Sequence, residues 1–146
     1  MSGSSLKNNF IAVCVFCAVI FFDATAKKIV ASYFVDRSLP GNFFVFGYFT
    51  NDKGLFGLIS LVPVVFASAA IFIFFIYLLF RADTLEEKIS LSLILGGGIS
   101  NFCERLIFGR VTDIVAIGNF GVMNMADVAI FVGIVWYASL LVKKYS

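Results

Sequence analysis

Four apolar stretches, each about long enough to cross a bilayer, constrain this chain more than any other feature. A hydrocarbon core about 30 Å thick takes roughly 20 helical residues to span. The first stretch runs from Phe10 to about Tyr33 and begins with an unbroken apolar run from Phe10 to Phe22. The second, from about Leu55 to Phe80, carries no charge. The third, from about Lys88 to Phe108, has Gly96-Gly97-Gly98 at its middle, where small residues let another backbone approach closely. The fourth, from about Met123 to Val142, carries Trp136 and Tyr137 towards its end, residue types that anchor helices at a membrane interface. Backbone groups in lipid must be satisfied within their own segment, so these stretches are expected to be helices.

The expected fold class is therefore membrane all-α: one domain over residues 1–146, with four transmembrane helices. The segment between spans one and two differs in kind. Pro40-Gly41-Asn42 leads into the aromatic, alternating Phe43 to Phe49, and Asn51-Asp-Lys-Gly54 follows. Aromatic and β-branched runs bounded by turn residues read as strand, so a small β-element is expected between helices 1 and 2.

Composition excludes several function classes. A mean hydropathy of +1.02 and 14% charged residues leave too little polar surface for a water-soluble globule. The net charge is only +2, without a block of Lys or Arg, which argues against nucleic acid as a partner. There is no histidine, the commonest zinc ligand and the commonest general base. Cys14 and Cys17 form a C-x-x-C, but inside an apolar run, where cysteine behaves as a small hydrophobe. No metal and no cofactor are expected. Lys7, the run to Phe22 and Ala24-Thr25-Ala26 imitate a cleavable secretory signal, although Asp23, Lys27 and Lys28 fit that reading poorly.

An even number of spans places both termini on one side. Lys7, Arg81, Lys88, Lys143 and Lys144 would share that side, against Lys27, Lys28, Arg37, Lys53, Arg105 and Arg110 on the other. Five basic residues against six leave the orientation open under the positive-inside rule.

The polar residues are more informative. Asp23 and Lys27 end span one, and Asn51 and Gly54 precede span two. Asn101, Glu104 and Arg105 fall in the last turns of span three, and Asn124 and Asp127 in the first turns of span four. Because the spans alternate in direction, all four clusters meet at one membrane face. Asp113 is expected in the loop between spans three and four. Taken singly, these residues read as helix-end polar groups: Asn124 as an N-cap, Asp127 as a first-turn acid, Glu104 and Arg105 as an interfacial ion pair. Taken together, they surround carboxylates that are costly beside hydrocarbon.

Such a site has few reactive groups. Two carboxylates sharing a site cannot both ionise easily, so the pair holds one proton between them. The ionised member can take a proton from an attacking water while the protonated member donates to the carbonyl oxygen. That chemistry is amide hydrolysis by an Asp113–Asp127 dyad.

At these residues the chain resembles the lipoprotein signal peptidases, the signal peptidase II family, over nearly its whole length. The family pattern G-G-x-x-x-N-x-x-D-R is matched by Gly96-Gly97-Gly98-Ile-Ser-Asn101-Phe-Cys-Glu104-Arg105. The pattern G-x-V-x-D-F is matched by Gly109-Arg-Val111-Thr-Asp113-Ile, and F-N-x-A-D by Met123-Asn124-Met-Ala126-Asp127. Asp23 and Lys27 fall on a D-x-x-x-K, and Asn51 and Phe56 on an N-x-G-x-x-F whose glycine is displaced to Gly54. Glu104 stands where the family has aspartate, Ile114 and Met123 replace aromatics, and Ala116 replaces a common acid.

The resemblance implies an aspartic endopeptidase of the bacterial inner membrane, multi-pass, with cytoplasmic termini and its site near the outer face. Its catalytic residues would be Asp113 and Asp127. Asn51, Asn101, Arg105 and Asn124 would contact or organise the substrate region. The substrate would be a prolipoprotein with a diacylglyceryl-modified cysteine after the scissile bond, drawn from among membrane lipid. A monomer is expected, since one chain supplies every element. The rival readings are a small proton-coupled transporter and a non-catalytic membrane scaffold that keeps the fold.

Overall fold

The computed structural model describes residues 3–33, 44–51, 61–118 and 121–146, with the side chains of 3, 4, 44 and 61–65 left aside. Among the described residues four α-helices and three β-strands follow in the order α1 (Gly3–Tyr33), β1 (Phe44–Asn51), α2 (Leu61–Arg81), α3 (Leu85–Phe108), β2 (Val111–Ile117), β3 (Gly121–Met123) and α4 (Met125–Tyr145). Gly54, Phe56 and the Pro40-Gly41-Asn42-Phe43 stretch lie outside the described residues.

Helix α3 is the hub, and α1, α2 and α4 each pack on it. The three consecutive glycines explain how one helix serves three partners. A Cβ on Gly96 would meet the Phe16 carbonyl oxygen and Val19 of α1 at 3.0 Å. On Gly97 it would run into the Ala126 carbonyl of α4, and on Gly98 into the Phe72 ring of α2 at 2.9 Å. Residues 100° apart on a helix point three ways, and here each direction needs a close backbone or ring approach. Gly133 of α4 repeats the device against Ser90 and Ile94 of α3.

Both ends of α3 are specified locally. Thr84 and Glu87 form a reciprocal capping box at its start, satisfying backbone N–H groups that the first turn leaves without partners. At its end Gly109 takes the left-handed conformation (φ 70°), and its N–H donates to the Arg105 carbonyl. The chain then turns directly into β2.

The sheet is antiparallel with β2 in the middle, between β1 and β3. Phe49 pairs with Asp113 and Asn51 with Val111, and a β-bulge separates Phe46 from Phe49. Val115 pairs with Met123 and Ile117 with Gly121. One expectation is corrected here: Asp113 lies in a strand, not a connecting loop. The β-element expected between helices 1 and 2 is present as β1, and among the described residues the strands it joins come from the connection between α3 and α4. Nothing local marks β2 as a strand, since it is only seven residues long and abuts the apolar end of α3.

Burial is inverted relative to a water-soluble protein. Phe10, Phe66, Phe80 and Phe131 point outward, whereas Asp23, Asn101, Asp113 and Asn124 are buried. Three helices, Ser5–Tyr33, Leu85–Phe108 and Met125–Tyr145, are long and apolar enough to cross a membrane. The apolar part of α2 from Phe66 to Arg81 is shorter. Cys14, Cys17 and Cys103 are exposed on helix surfaces rather than packed in the core.

Candidate active site

Asn124 stands at the centre of the polar cluster. It is the N-cap of α4, with its side-chain oxygen accepting from the Asp127 N–H at 2.9 Å and its own N–H donating to Asp127 Oδ2 at 3.2 Å. So far this is the capping role its sequence context suggests. Its amide nitrogen, however, turns towards the sheet and donates to Asp113 Oδ1 at 2.9 Å and to Asn101 Oδ1 at 3.0 Å. The Thr112 carbonyl oxygen lies 3.4 Å from the same nitrogen. Asn101 in turn donates from Nδ2 to Asp127 Oδ1 at 2.8 Å. One asparagine therefore binds both aspartates, and a second braces the arrangement from α3.

Around this core lies a charged layer. Lys27 Nζ is 2.7 Å from Asp23 Oδ2, 2.7 Å from Glu104 Oε2 and 3.1 Å from Asn101 Oδ1, so its three protons each have an acceptor. Asp23 also accepts from Ser100 Oγ at 2.6 Å and from the Ala126 N–H at 2.9 Å. These contacts tie α1 to α3 and to the first turn of α4. Glu104 spans further, accepting the Thr112 N–H at 3.0 Å through its other oxygen. Its extra methylene, relative to the family's aspartate, is used in a bridge from Lys27 to the strand residue before Asp113. The expected Glu104–Arg105 ion pair does not form; Glu104 pairs with Lys27 instead.

The structure thus brings Asp23, Lys27, Asn101, Glu104, Asn124, Asp113 and Asp127 into one connected network. Asn51 reaches it from β1, where its pairing places it on the same sheet face as Asp113, close enough for its amide to favour the ionised form of that carboxylate. The Arg105 side chain makes no hydrogen bond or ion pair among the described residues. It lies at the edge of the cluster, close enough for its charge to act on Asp127. Gly54 is outside the described residues. Ser100, Thr112 and Ala126 belong to the network but carry no sequence signal: two act through backbone groups, and Ser100 finds a partner 77 positions away.

The electrostatics follow from who has a cation. Asp113 is only 2% exposed. Burial pushes its carboxyl up to about 6, with the charge of Asp127 adding to the rise; the amide of Asn124, the more distant charge of Lys27 and the amide of Asn51 oppose it. It thus holds its proton well above the usual carboxylate range. Neither aspartate accepts a bond from Lys27, whose contacts are all filled elsewhere. Both are held by neutral amides, an arrangement that lets a pair keep one shared proton. Among the described residues no group of three His, Cys, Asp or Glu side chains could hold a metal ion.

A groove of about 720 Å³ opens beside the pair. Asn101, Arg105 and Asp127 form its polar end, and Phe72, Phe75 and Ile130 line its apolar length between α2 and α4. Among the described residues helix α2 packs chiefly on α3, so its far side leaves this channel open towards the surroundings of the bundle.

Comparison with known proteins agrees with this picture. Residues 15–143 match the family model described as signal peptidase (SPase) II. A lipoprotein signal peptidase of Moorella thermoacetica is 34% identical over 124 residues, covering 80% of this chain and 83% of that protein. A lipoprotein signal peptidase of Syntrophus aciditrophicus is 32% identical over 142 residues, covering 86% and 88% respectively. Among solved structures, one described as a bacterial membrane enzyme superposes with a TM-score of 0.77 at 24% identity, covering 93% of this chain and 90% of that one. With the family model matching most of its length, the chain belongs to the signal peptidase II family.

Proposed function

We propose that this protein is an aspartic endopeptidase that removes the signal peptide from diacylglyceryl-modified prolipoproteins. The observation that carries this reading is the bonding of Asn124, whose one amide donates to Asp113 while its cap geometry fixes Asp127. Two carboxylates are thereby held in one buried site without a cation between them. Family membership supplies the substrate: the relatives matched over most of their length are named lipoprotein signal peptidases.

In the proposed reaction the scissile amide lies over the pair. The ionised aspartate takes a proton from water as the oxygen attacks the carbonyl carbon, and the protonated aspartate donates to the carbonyl oxygen. Collapse of the gem-diol breaks the C–N bond, with a proton passing to the departing nitrogen. The products are a signal peptide with a new carboxylate and a lipid-modified cysteine with a free amine. Asp113, with its raised carboxyl, is the better candidate for the protonated role. The mechanism needs neither cofactor nor metal, and it is general acid–base catalysis throughout.

The apolar groove beside Asp127 suits a substrate that is half lipid. We assign the chain four membrane spans with both termini cytoplasmic, the dyad near the outer face of the bacterial inner membrane, and a monomeric working state. Asn51, Asn101, Arg105 and Gly54 are assigned to the substrate region on their family positions. A transporter is disfavoured because its carboxylates belong near the bilayer midplane, whereas Asp127 opens a helix and Asp113 sits in the sheet beyond it.

The test is cleavage of a lipid-modified prolipoprotein in detergent by wild type, Asp113→Asn and Asp127→Asn. Each substitution should reduce turnover by at least about 10³-fold, within the usual range of general acid–base contributions, with the fold retained. Full activity in either variant would refute the dyad.

A further inference from the structure

Helix α2 leaves a second groove on its other side, at the end of the bundle remote from the dyad. About 680 Å³ in volume, it falls within the range of small-molecule sites. Its walls come from α1, α2 and α3. Its apolar length is formed by Val13, Phe16, Phe72 and Ile76, and its polar end by Asn9, Lys88 and Ser92. The apolar rim is open: Val13 is 59% exposed and Ile76 42%.

Two observations at the polar end point to a ligand. Ser92 is 2% exposed and lines the groove, yet among the described residues its hydroxyl has no hydrogen-bond partner. Among the described residues Lys88 has the side-chain oxygen of Asn9 as its partner and no carboxylate. The nearby acids do not serve it. Glu87 and Asp83 pair with Lys144, and Glu86 is exposed. A lysine without a carboxylate partner among the described residues, a hydroxyl on the groove wall that is open to a ligand and an adjoining apolar trough open to the side describe one chemical complement. It has an anionic oxygen-rich head and a hydrocarbon tail.

We propose that this groove binds one anionic glycerophospholipid, with its phosphate between Lys88 and Ser92 and an acyl chain along Phe16 and Phe72. The site is distinct from the groove at Asp127, and it acts on the bundle rather than on the reaction. A lipid seated here fills the gap between α1 and α2, which both rest on α3 but scarcely touch each other.

Native mass spectrometry of the detergent-purified protein tests this with three probes: phosphatidylglycerol, phosphatidylcholine and inorganic phosphate. Wild type should retain one phosphatidylglycerol in preference to phosphatidylcholine, and inorganic phosphate should not displace it. Lys88→Gln should weaken retention about fivefold, the usual worth of one basic residue beside an anionic leaflet, and Lys88→Arg should restore it. Ser92→Leu, which fills the groove, should abolish retention; Ser92→Ala provides a milder variant if the larger side chain disturbs folding, and it should weaken binding measurably. Lys143→Gln removes a cation outside the groove and should change nothing. Equal retention of the two lipids would overturn the proposal, as would displacement by inorganic phosphate or an equal loss in Lys143→Gln.

Discussion

The two polar ends of the bundle hold similar residues and use them differently. At one end, Glu87 accepts the backbone N–H groups of Asp83 and Thr84 and pairs with Lys144 at 3.2 Å. Its carboxylate is fully served by a helix start and a cation. At the other end, Lys27 serves Asp23 and Glu104, and the remaining two carboxylates, Asp113 and Asp127, receive amides only. The lesson is about allocation. A carboxylate given a cation holds helices together, and one denied it in a buried site stays close to its proton and available for chemistry.

The sharpest way to break this comparison is Lys27→Met. It strands Asp23, which is fully buried, and removing one partner of a buried ion pair costs about 3–5 kcal/mol. Thermal unfolding in detergent should show a large loss, and an unchanged melting temperature would mean that Lys27 does not organise this end.

Asp113→Asn should move stability the other way. The folded carboxyl keeps its proton up to about 6, whereas an ordinary aspartate releases it near 3.8. The folded state therefore binds more protons across that window, and wild-type stability falls as pH rises through it. Asparagine does not titrate, so the variant should be more stable at pH 7 by about 1–3 kcal/mol, with the advantage vanishing near pH 4. A variant no more stable than wild type at pH 7 would contradict the raised carboxyl.

The smallest effect is expected at the opposite end. The Lys144 side chain is 48% exposed, so solvent screens its pairing with the buried Glu87, and Glu87 still accepts the Asp83 and Thr84 N–H groups when the cation is gone. Lys144→Gln should leave both melting temperature and turnover almost unchanged. A loss as large as that of Lys27→Met would erase the distinction between the ends.

Much of this was legible in the sequence. The N-cap role expected of Asn124, with Asp127 as an acid in the first turn, is the one both take at the start of α4. The three glycines announce close helix contacts, and each faces a different helix. The convergence of Asp23, Lys27, Asn101, Glu104, Asn124 and Asp127 follows from alternating helix directions alone. The position of Asp113 was not legible. Its strand is defined by pairing with β1, some sixty residues earlier in the chain, and a pairing partner leaves no mark on a strand's own residues. Glu104 was misread for a similar reason: its sequence neighbour Arg105 suggests an ion pair, but adjacent residues on a helix point about 100° apart, and Lys27 occupies the direction Glu104 faces.

By itself the sequence determined the helices and the polar face on which they meet, because these depend on local hydropathy and on the alternating direction of the spans. It also supplied two aspartates at that face, the pair to which the proposed chemistry is assigned. Only the tertiary structure decided which carboxylates receive the cation. That choice is a matter of distances across α1, α3, β2 and α4. Lys27 has three protons, and the packing delivers three acceptors to them before either catalytic candidate comes within reach.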